Sequence, residues 1–304
     1  MPDAKFAVSD GFVSEVLAPV IENYLRTNSA LIQLGLAVDS SNEVDYSRGG
    51  RHVTRPEFVG NMVAERLGAS RTKQKVQYVE KRYPMVSSIA TLQYEGAAVD
   101  DIFDDEGFLN RVTRHMQDVA LKDLDETLLS CSADIGDGST QYGAVGTSLS
   151  MDITGETDKT LDYDSLVKAR GLFGDSAGTL VALLHSKTMT DLLLTTEAKD
   201  MQKGVVIGNV NSTFFPALNM YAVQTDRVPV ISPGVGEKIT NLLCKPGCMS
   251  YAWKKPLSLI PDYQGNYTFD LDWVWRYAIM RNPEAGRDKI AKLITLSDQS
   301  PTAG

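Results

Sequence analysis

Residues 174–178 read Gly174-Asp175-Ser176-Ala177-Gly178, and His185 follows Ser176 by nine positions. A serine set between glycines fits the nucleophile elbow of esterases, a sharp turn that exposes the hydroxyl at the top of a sheet. With His185 as base, Ser176 would cleave an ester through an acyl-enzyme. That chemistry sets conditions on the elements around it, because the elbow exists only where a strand runs into a helix. The flanks here run the other way. Residues 165–173 read as a helix capped by Asp164 and stopped by Gly174; Thr179-Leu180-Val181-Ala182-Leu183-Leu184 reads as a short buried strand, and Ser186 reads as the cap of a helix from Lys187. The stretch is therefore a helix-to-strand loop. His185 ends a strand that leads away from Ser176, and the other histidines, His52 and His115, precede the serine, against the esterase order of serine, acid, histidine. No His-Gly-Gly run supplies an oxyanion hole.

The other chemical signals are weaker still. Cys131, Cys244 and Cys248 cannot all pair with one another; Cys244 and Cys248 bracket a Lys-Pro-Gly turn between two expected strands, with no histidine near in sequence to complete a zinc site. Asp134-Ile135-Gly136-Asp137-Gly138 has glycines where a calcium loop needs its third and fifth ligands, and no closing glutamate. Gly234-Val235-Gly236-Glu237-Lys238 is too short for a phosphate loop and leads into a strand. Asn211-Ser212-Thr213 and Asn266-Tyr267-Thr268 match glycosylation acceptors, but no charged-then-apolar leader opens the chain. No metal and no cofactor is expected.

The 304 residues are 43% hydrophobic, enough for a sizeable core, and no stretch approaches the roughly 20 apolar residues of a spanning helix, so no membrane partner is expected. The net charge of -9 argues against a dedicated DNA-binding module. It is unevenly spread. From Arg48 to Arg82 nine basic residues (Arg48, Arg51, Arg55, Arg66, Arg71, Lys73, Lys75, Lys81, Arg82) face three acidic ones (Glu57, Glu65, Glu80), a balance of +6 that leaves -15 on the rest. Two such regions attract each other between molecules.

The elements that must carry these groups follow from periodicity. Asp10 caps an arm helix whose apolar rows reach Tyr24 and Leu25, interrupted by Pro19. Residues 42–90 read as a long hairpin with a basic tip near 67–75, polar enough that a neighbouring surface is needed to hold it. Asp104-Asp105-Glu106 open a long helix, about 105–130, with the row Phe108, Val112, Met116, Ala120, Leu124 and Leu128; His115 within it reads as a packed or surface residue. Residues 132–161 read as loop. Strands are expected over 238–244 and 249–253, and a stronger one alternates Tyr267, Phe269, Leu271, Trp273, Trp275, Tyr277 and Ile279 against a polar face of Asp270, Asp272 and Arg276.

In this order the parts resemble the major capsid proteins of tailed bacteriophages, with the Hong Kong 97-type fold. The carriers are Gly49-Gly50-Arg51-His52-Val53-Thr54 in the hairpin, Asp125-Glu126-Thr127-Leu128-Leu129 closing the spine helix, and Tyr163-Asp164-Ser165-Leu166-Val167-Lys168-Ala169 running into Leu172-Phe173-Gly174-Asp175. Leu183-Leu184-His185-Ser186, with Met189 and Leu192-Leu193 beyond, completes the pattern. The resemblance implies an α+β fold in four parts: an N-terminal arm (1–41), an extended loop (42–90), a peripheral domain (91–161 and 248–304) built on the spine helix, and an axial domain (162–247).

It also implies a homo-oligomer, assembled in the host cytoplasm from pentamers and hexamers into an icosahedral virion shell around double-stranded DNA. A portal and a decoration or cement protein would be partners. Because the arm helix begins near residue 10, a separate scaffolding protein is expected. DNA contact would be non-specific, and no enzymatic activity is implied. The expected contacts between subunits pair Arg48, Arg51, Arg55, Arg66, Arg71, Lys73 and Lys75 of the loop with Asp100, Asp101, Asp104, Asp105 and Glu106 of a neighbour. An encapsulin-type compartment, which encloses an enzyme cargo, is the nearest alternative, and a serine esterase using Ser176 the more distant one.

Overall fold

The computed structural model describes residues 18–48, 51–59, 77–95, 106–133, 147–155, 159–174, 178–231, 237–265, 268–282 and 287–297. In chain order the helices are α1 (Ala18–Asn28), α2 (Ala30–Gln33), α3 (Glu106–Ala133), α4 (Tyr163–Gly171), α5 (Ser186–Leu194) and α6 (Thr196–Met201). The first seven strands are β1 (Ala37–Asp39), β2 (Asp45–Tyr46), β3 (His52–Val59), β4 (Gln77–Glu95), β5 (Thr147–Asp152), β6 (Leu180–Leu184) and β7 (Lys203–Ile207). The remainder are β8 (Val210–Phe215), β9 (Met220–Gln224), β10 (Val230–Ile231), β11 (Lys238–Cys244), β12 (Met249–Gly265), β13 (Thr268–Arg281) and β14 (Arg287–Thr295). They form a six-stranded sheet, β1-β12-β13-β4-β3-β2, and an eight-stranded one, β5-β14-β11-β6-β9-β8-β7 with β10 added beside β11.

Helix α3 is the expected spine. Met116, Ala120, Leu124 and Leu128 of its apolar row are buried, in one cluster with Leu25 and Leu31 of the arm and Trp273, Trp275 and Tyr277 of β13. The side chains of Phe108 and Val112 lie outside the described residues. Two buried aromatic donors meet one spine carboxylate: Trp275 Nε1 and the Tyr277 hydroxyl each donate to Asp123 Oδ2 at 2.8 Å. Burial, reinforced by that carboxylate, pushes the Tyr277 hydroxyl well above the ordinary tyrosine range.

Strand β6 shows why an all-apolar run was legible as a strand buried on both faces. Leu180, Ala182 and Leu184 enter a second cluster with Leu166 and Phe173 of the α4 region, while Val181 and Leu183 enter the spine cluster. Alternation thus splits one strand between two cores. Its neighbours are β9, parallel, and β11, antiparallel.

Several expectations are corrected. The extended loop is a hairpin, with β3 and β4 paired from His52↔Pro84 to Val59↔Gln77, but it does not stand alone. β4 continues to Glu95 and pairs with β13 over Met85–Glu95, and Val53 and Tyr83 are buried with Ala252, Ala278 and Met280. The chain's own sheet therefore holds the base of the hairpin. The Lys-Pro-Gly turn does not close a hairpin: β11 lies in one sheet and β12 in the other, so the turn carries the chain between sheets, with Gly247 at φ +63°. Residues 147–152, expected as loop, are β5, held by parallel pairing to β14. A polar run such as Thr-Ser-Leu-Ser carries little strand signal until a partner supplies the hydrogen bonds.

Both β5 and β14 belong to the eight-stranded sheet. The second face of β13 is not uniformly polar, since Val274, Ala278 and Met280 are buried, while Arg276 is exposed. The cap of α4 is Asp162, which accepts from Ser165 N at 2.7 Å, rather than Asp164. The arm-helix cap Asp10 lies outside the described residues.

Removing the Asp123 carboxylate strands the buried Trp275 donor, at a cost of about 1–3 kcal/mol, while the Tyr277 hydroxyl keeps Thr127 Oγ1 at 2.9 Å. Asp123→Ala is expected to lower urea stability by roughly 1–3 kcal/mol, and Asp123→Asn, which keeps an acceptor, by clearly less.

Candidate functional site

Gly174-Asp175-Ser176-Ala177-Gly178 lies between α4 and β6 and is a helix-to-strand connection. Its two glycines have φ of +55° and +49°, and residues 175–177, Ser176 among them, lie outside the described residues. Arg170 Nη1 donates to the carbonyl oxygens of Gly178 and Leu218, tying the end of the loop to the corner before β9. His185 sits past the opposite end of β6, a strand path of about 20 Å from Gly178 at ~3.3 Å per residue. It has a structural task. His185 Nδ1 accepts the Lys187 amide at 3.2 Å, so the histidine, and not Ser186, caps α5. Its Nε2 stands 3.9 Å from Asp226 Oδ1, which accepts the Ser186 amide at 3.1 Å. Hydrogen bonding from Ser186 holds the Asp226 carboxyl below the usual carboxylate range.

Cys244 and Cys248 are buried and are not joined in a disulfide. Among the described residues no group of three or more histidine, cysteine, aspartate or glutamate side chains is placed to hold a metal ion. No helix there is long and apolar enough to cross a membrane.

The basic set expected to meet a neighbouring subunit is not uniform. Arg48 and Arg51 are exposed at the base of the hairpin. Arg55 turns inward and is only 9% exposed. Its Nη1 donates to Ser250 Oγ at 2.9 Å and Asn282 Oδ1 at 2.7 Å, its Nη2 donates to the Arg281 carbonyl at 3.1 Å, and the guanidinium lies 5.4 Å from the Tyr83 ring centre. Arg55 thus fastens the hairpin to β12 and the end of β13. A planar fork reaching three acceptors while stacked on an aromatic is an arrangement lysine cannot reproduce. Arg66, Arg71, Lys73, Lys75, Asp100, Asp101, Asp104 and Asp105 lie outside the described residues, and Glu106 is the first residue of α3.

A second constellation carried no signal in the sequence. Asp125 of the spine is 4% exposed; its Oδ1 accepts from Ser29 Oγ at 2.6 Å and its Oδ2 from Arg227 Nη1 at 2.5 Å. Ser29 joins the two arm helices and also accepts the Ile32 amide, while Arg227 follows β9 in the eight-stranded sheet. One carboxylate therefore joins arm, spine and sheet. Close by in the arm, Gln33 Oε1 accepts the Asn209 amide at 2.8 Å, reaching the turn of the β7–β8 hairpin. Gly208 in that turn has φ +59°, and a Cβ there would stand 2.7 Å from Gln33 Oε1, so this contact requires glycine. The partners of Asp125 lie 96 and 102 residues away in sequence, beyond the reach of local pattern.

Desolvation raises the Asp125 carboxyl above its ordinary range, outweighing the lowering by Ser29 and Arg227. Arg227 is itself 34% exposed, so solvent shares its charge. A raised folded value means the folded state binds the proton more tightly. The stability contributed by this titration is full below the unfolded carboxyl value of about 4 and is lost as pH rises through the folded value. Asp125→Asn cannot titrate. Relative to that variant, the native chain is expected to lose stability as pH is raised from about 4 upward, measured by urea unfolding at stepped pH; an unchanged difference would contradict it.

No protein-family model matches the chain, and no curated protein matches it. Solved structures do. The capsid of Ralstonia phage GP4 superposes with a TM-score of 0.59 at 10% identity, covering 88% of each chain. The head structure of Helicobacter pylori bacteriophage KHP40 gives 0.59 at 8% identity over 84% of this chain and 86% of that one. The SrpI encapsulin complex from Synechococcus elongatus gives 0.55 at 12% identity over 88% and 87%. With hairpin, spine helix and two sheets in the order that its sequence implies, the chain has the Hong Kong 97-type fold of phage capsid proteins.

Proposed function

We propose that the chain is the major capsid protein of a tailed bacteriophage, assembling through pentamers and hexamers into an icosahedral shell around double-stranded DNA. The observation that carries this reading is the likeness in fold to phage capsids, which spans 88% of the chain. In this reading residues 1–41 are the arm, 42–90 the extended loop, 91–161 and 248–304 the peripheral domain, and 162–247 the axial domain. The sheet pairing favours moving β5 and β14 to the axial unit. The shell belongs to the virion and is built in the host cytoplasm, with a separate scaffolding protein, a portal and a decoration or cement protein as partners. Contact with DNA is non-specific, and the subunit does no catalysis.

The basic hairpin supplies the contact. Arg48 and Arg51 at its base and Arg66, Arg71, Lys73 and Lys75 toward its tip meet acidic surface on a neighbour, with Asp100, Asp101, Asp104, Asp105 and Glu106 as the nearest rich source. Arg55 is left out of this set because its own chain engages it. Reversing Arg66, Arg71 and Lys73 to glutamate is expected to abolish shells in electron micrographs while the subunit's circular dichroism and melting stay unchanged. Arg55→Glu is expected to fail earlier, by unfolding the subunit. Undiminished shell yield from the triple reversal would sink the contact.

A second reading is supported by the encapsulin likeness. A compartment of that type encloses protein cargo, so the contents of purified particles separate the two. Nuclease-protected DNA supports the phage shell, and a co-purifying enzyme without DNA supports the compartment.

A further inference from the structure

Strand β7 forms one edge of the eight-stranded sheet. Its sequence, Lys203-Gly204-Val205-Val206-Ile207, has no proline, and its one charge is at its first residue. Natural sheets guard such edges with charge, proline, bulges or cover, because an open row of amides and carbonyls templates pairing with another chain. Among the described residues nothing pairs with the outer side of this one, and Val206 is 64% exposed.

The hairpin fixes which groups are open. β7 and β8 are joined by the two-residue turn Gly208-Asn209, and Ile207↔Val210 is the closing pair. In a two-residue hairpin the closing pair exchanges both hydrogen bonds, and such pairs then alternate along the ladder. Ile207, Val205 and Lys203 therefore turn their amides and carbonyls toward β8. The Val205 carbonyl also accepts Ser212 Oγ at 2.8 Å, which agrees with that direction. Gly204 and Val206 turn theirs outward.

We propose that the β7 edge pairs antiparallel with β7 of a second copy of this chain, about a two-fold axis through Val205. The strand is self-complementary in that register. Gly204 lies opposite Val206 of the second copy and Val206 opposite its Gly204, so the four open amides and carbonyls of each strand are satisfied by four hydrogen bonds. The exposed Val206 side chain then lies beside a glycine, where no Cβ obstructs it: a Cβ built at Gly204 meets nothing within 4 Å. Lys203 falls opposite Ile207 of the second copy, so like charges do not meet. The contact is isologous, as a two-fold requires. It goes beyond the shell reading, since a shell could close with this edge uncovered.

In this register the two Val205 residues form the wide, non-hydrogen-bonded pair, with Cα atoms about 4.5 Å apart, inside the range a disulfide spans. The full chain carrying Val205→Cys is expected to give an interchain-crosslinked dimer on mild oxidation, read on a non-reducing gel against the native chain. Gly204→Cys, whose own two-fold mate is offset by two positions, should crosslink far less. Adding Val206→Pro removes only an outward amide and leaves the β8 ladder intact, and should reduce the dimer at least about tenfold. Val206→Lys serves if the proline variant fails to fold. Val205→Cys crosslinking no better than the native chain, or no better than Gly204→Cys, overturns the pairing. Shells that form without the crosslink would do so while leaving the shell reading intact.

Discussion

The subunit depends on one short stretch of the spine helix. Asp123 and Asp125 are two residues apart, and at 100° per residue their side chains leave the helix in nearly opposite directions. Asp123 faces the six-stranded sheet and accepts from Trp275 and Tyr277. Asp125 faces the arm and the eight-stranded sheet and accepts from Ser29 and Arg227. Leu124 and Leu128, both fully buried, fill the space between. The spine is thereby fixed on two sides by directional bonds and held in place by apolar packing, so its orientation sets how the arm and the two sheets sit together.

Taking a carboxylate out of water is costly, and the half-buried Asp123 and the buried Asp125 meet that cost differently. Asp123 is compensated by two neutral donors from rigid aromatic rings on a central strand, an arrangement with little side-chain entropy left to lose. Asp125 relies on a partly exposed arginine and a serine, and burial still dominates its titration. The first favours permanence. The second leaves the junction between arm and sheet sensitive to proton concentration.

What the sequence disclosed follows the range of the interactions involved. The spine row from Met116 to Leu128, the alternation at Trp273, Trp275 and Tyr277, and the apolar run of β6 are local periodicities, and the structure bears them out. The direction of the chain around Gly174–Gly178 was legible for the same reason. Capping was off by small steps: Asp162 for Asp164, His185 for Ser186, because several candidate acceptors crowd each helix start. The pairing of β5 with β14, the transfer between sheets at Lys245-Pro246-Gly247, and the Ser29–Asp125–Arg227 junction were not legible, since each depends on which distant segments meet. Arg55 read as one basic residue among nine and proved to be a fastener, a distinction made by Ser250, Asn282 and Tyr83.

The hairpin is anchored within its own chain. Its base is held by Arg55 and by Val53 and Tyr83 in a small apolar cluster, while Arg48 and Arg51 beside it remain exposed. The most direct test of a shell subunit is the native mass of the purified chain across a range of concentrations. The account predicts pentamers, hexamers or closed particles many times the 33.2 kDa subunit, and a species that stays at 33.2 kDa at every concentration would contradict it.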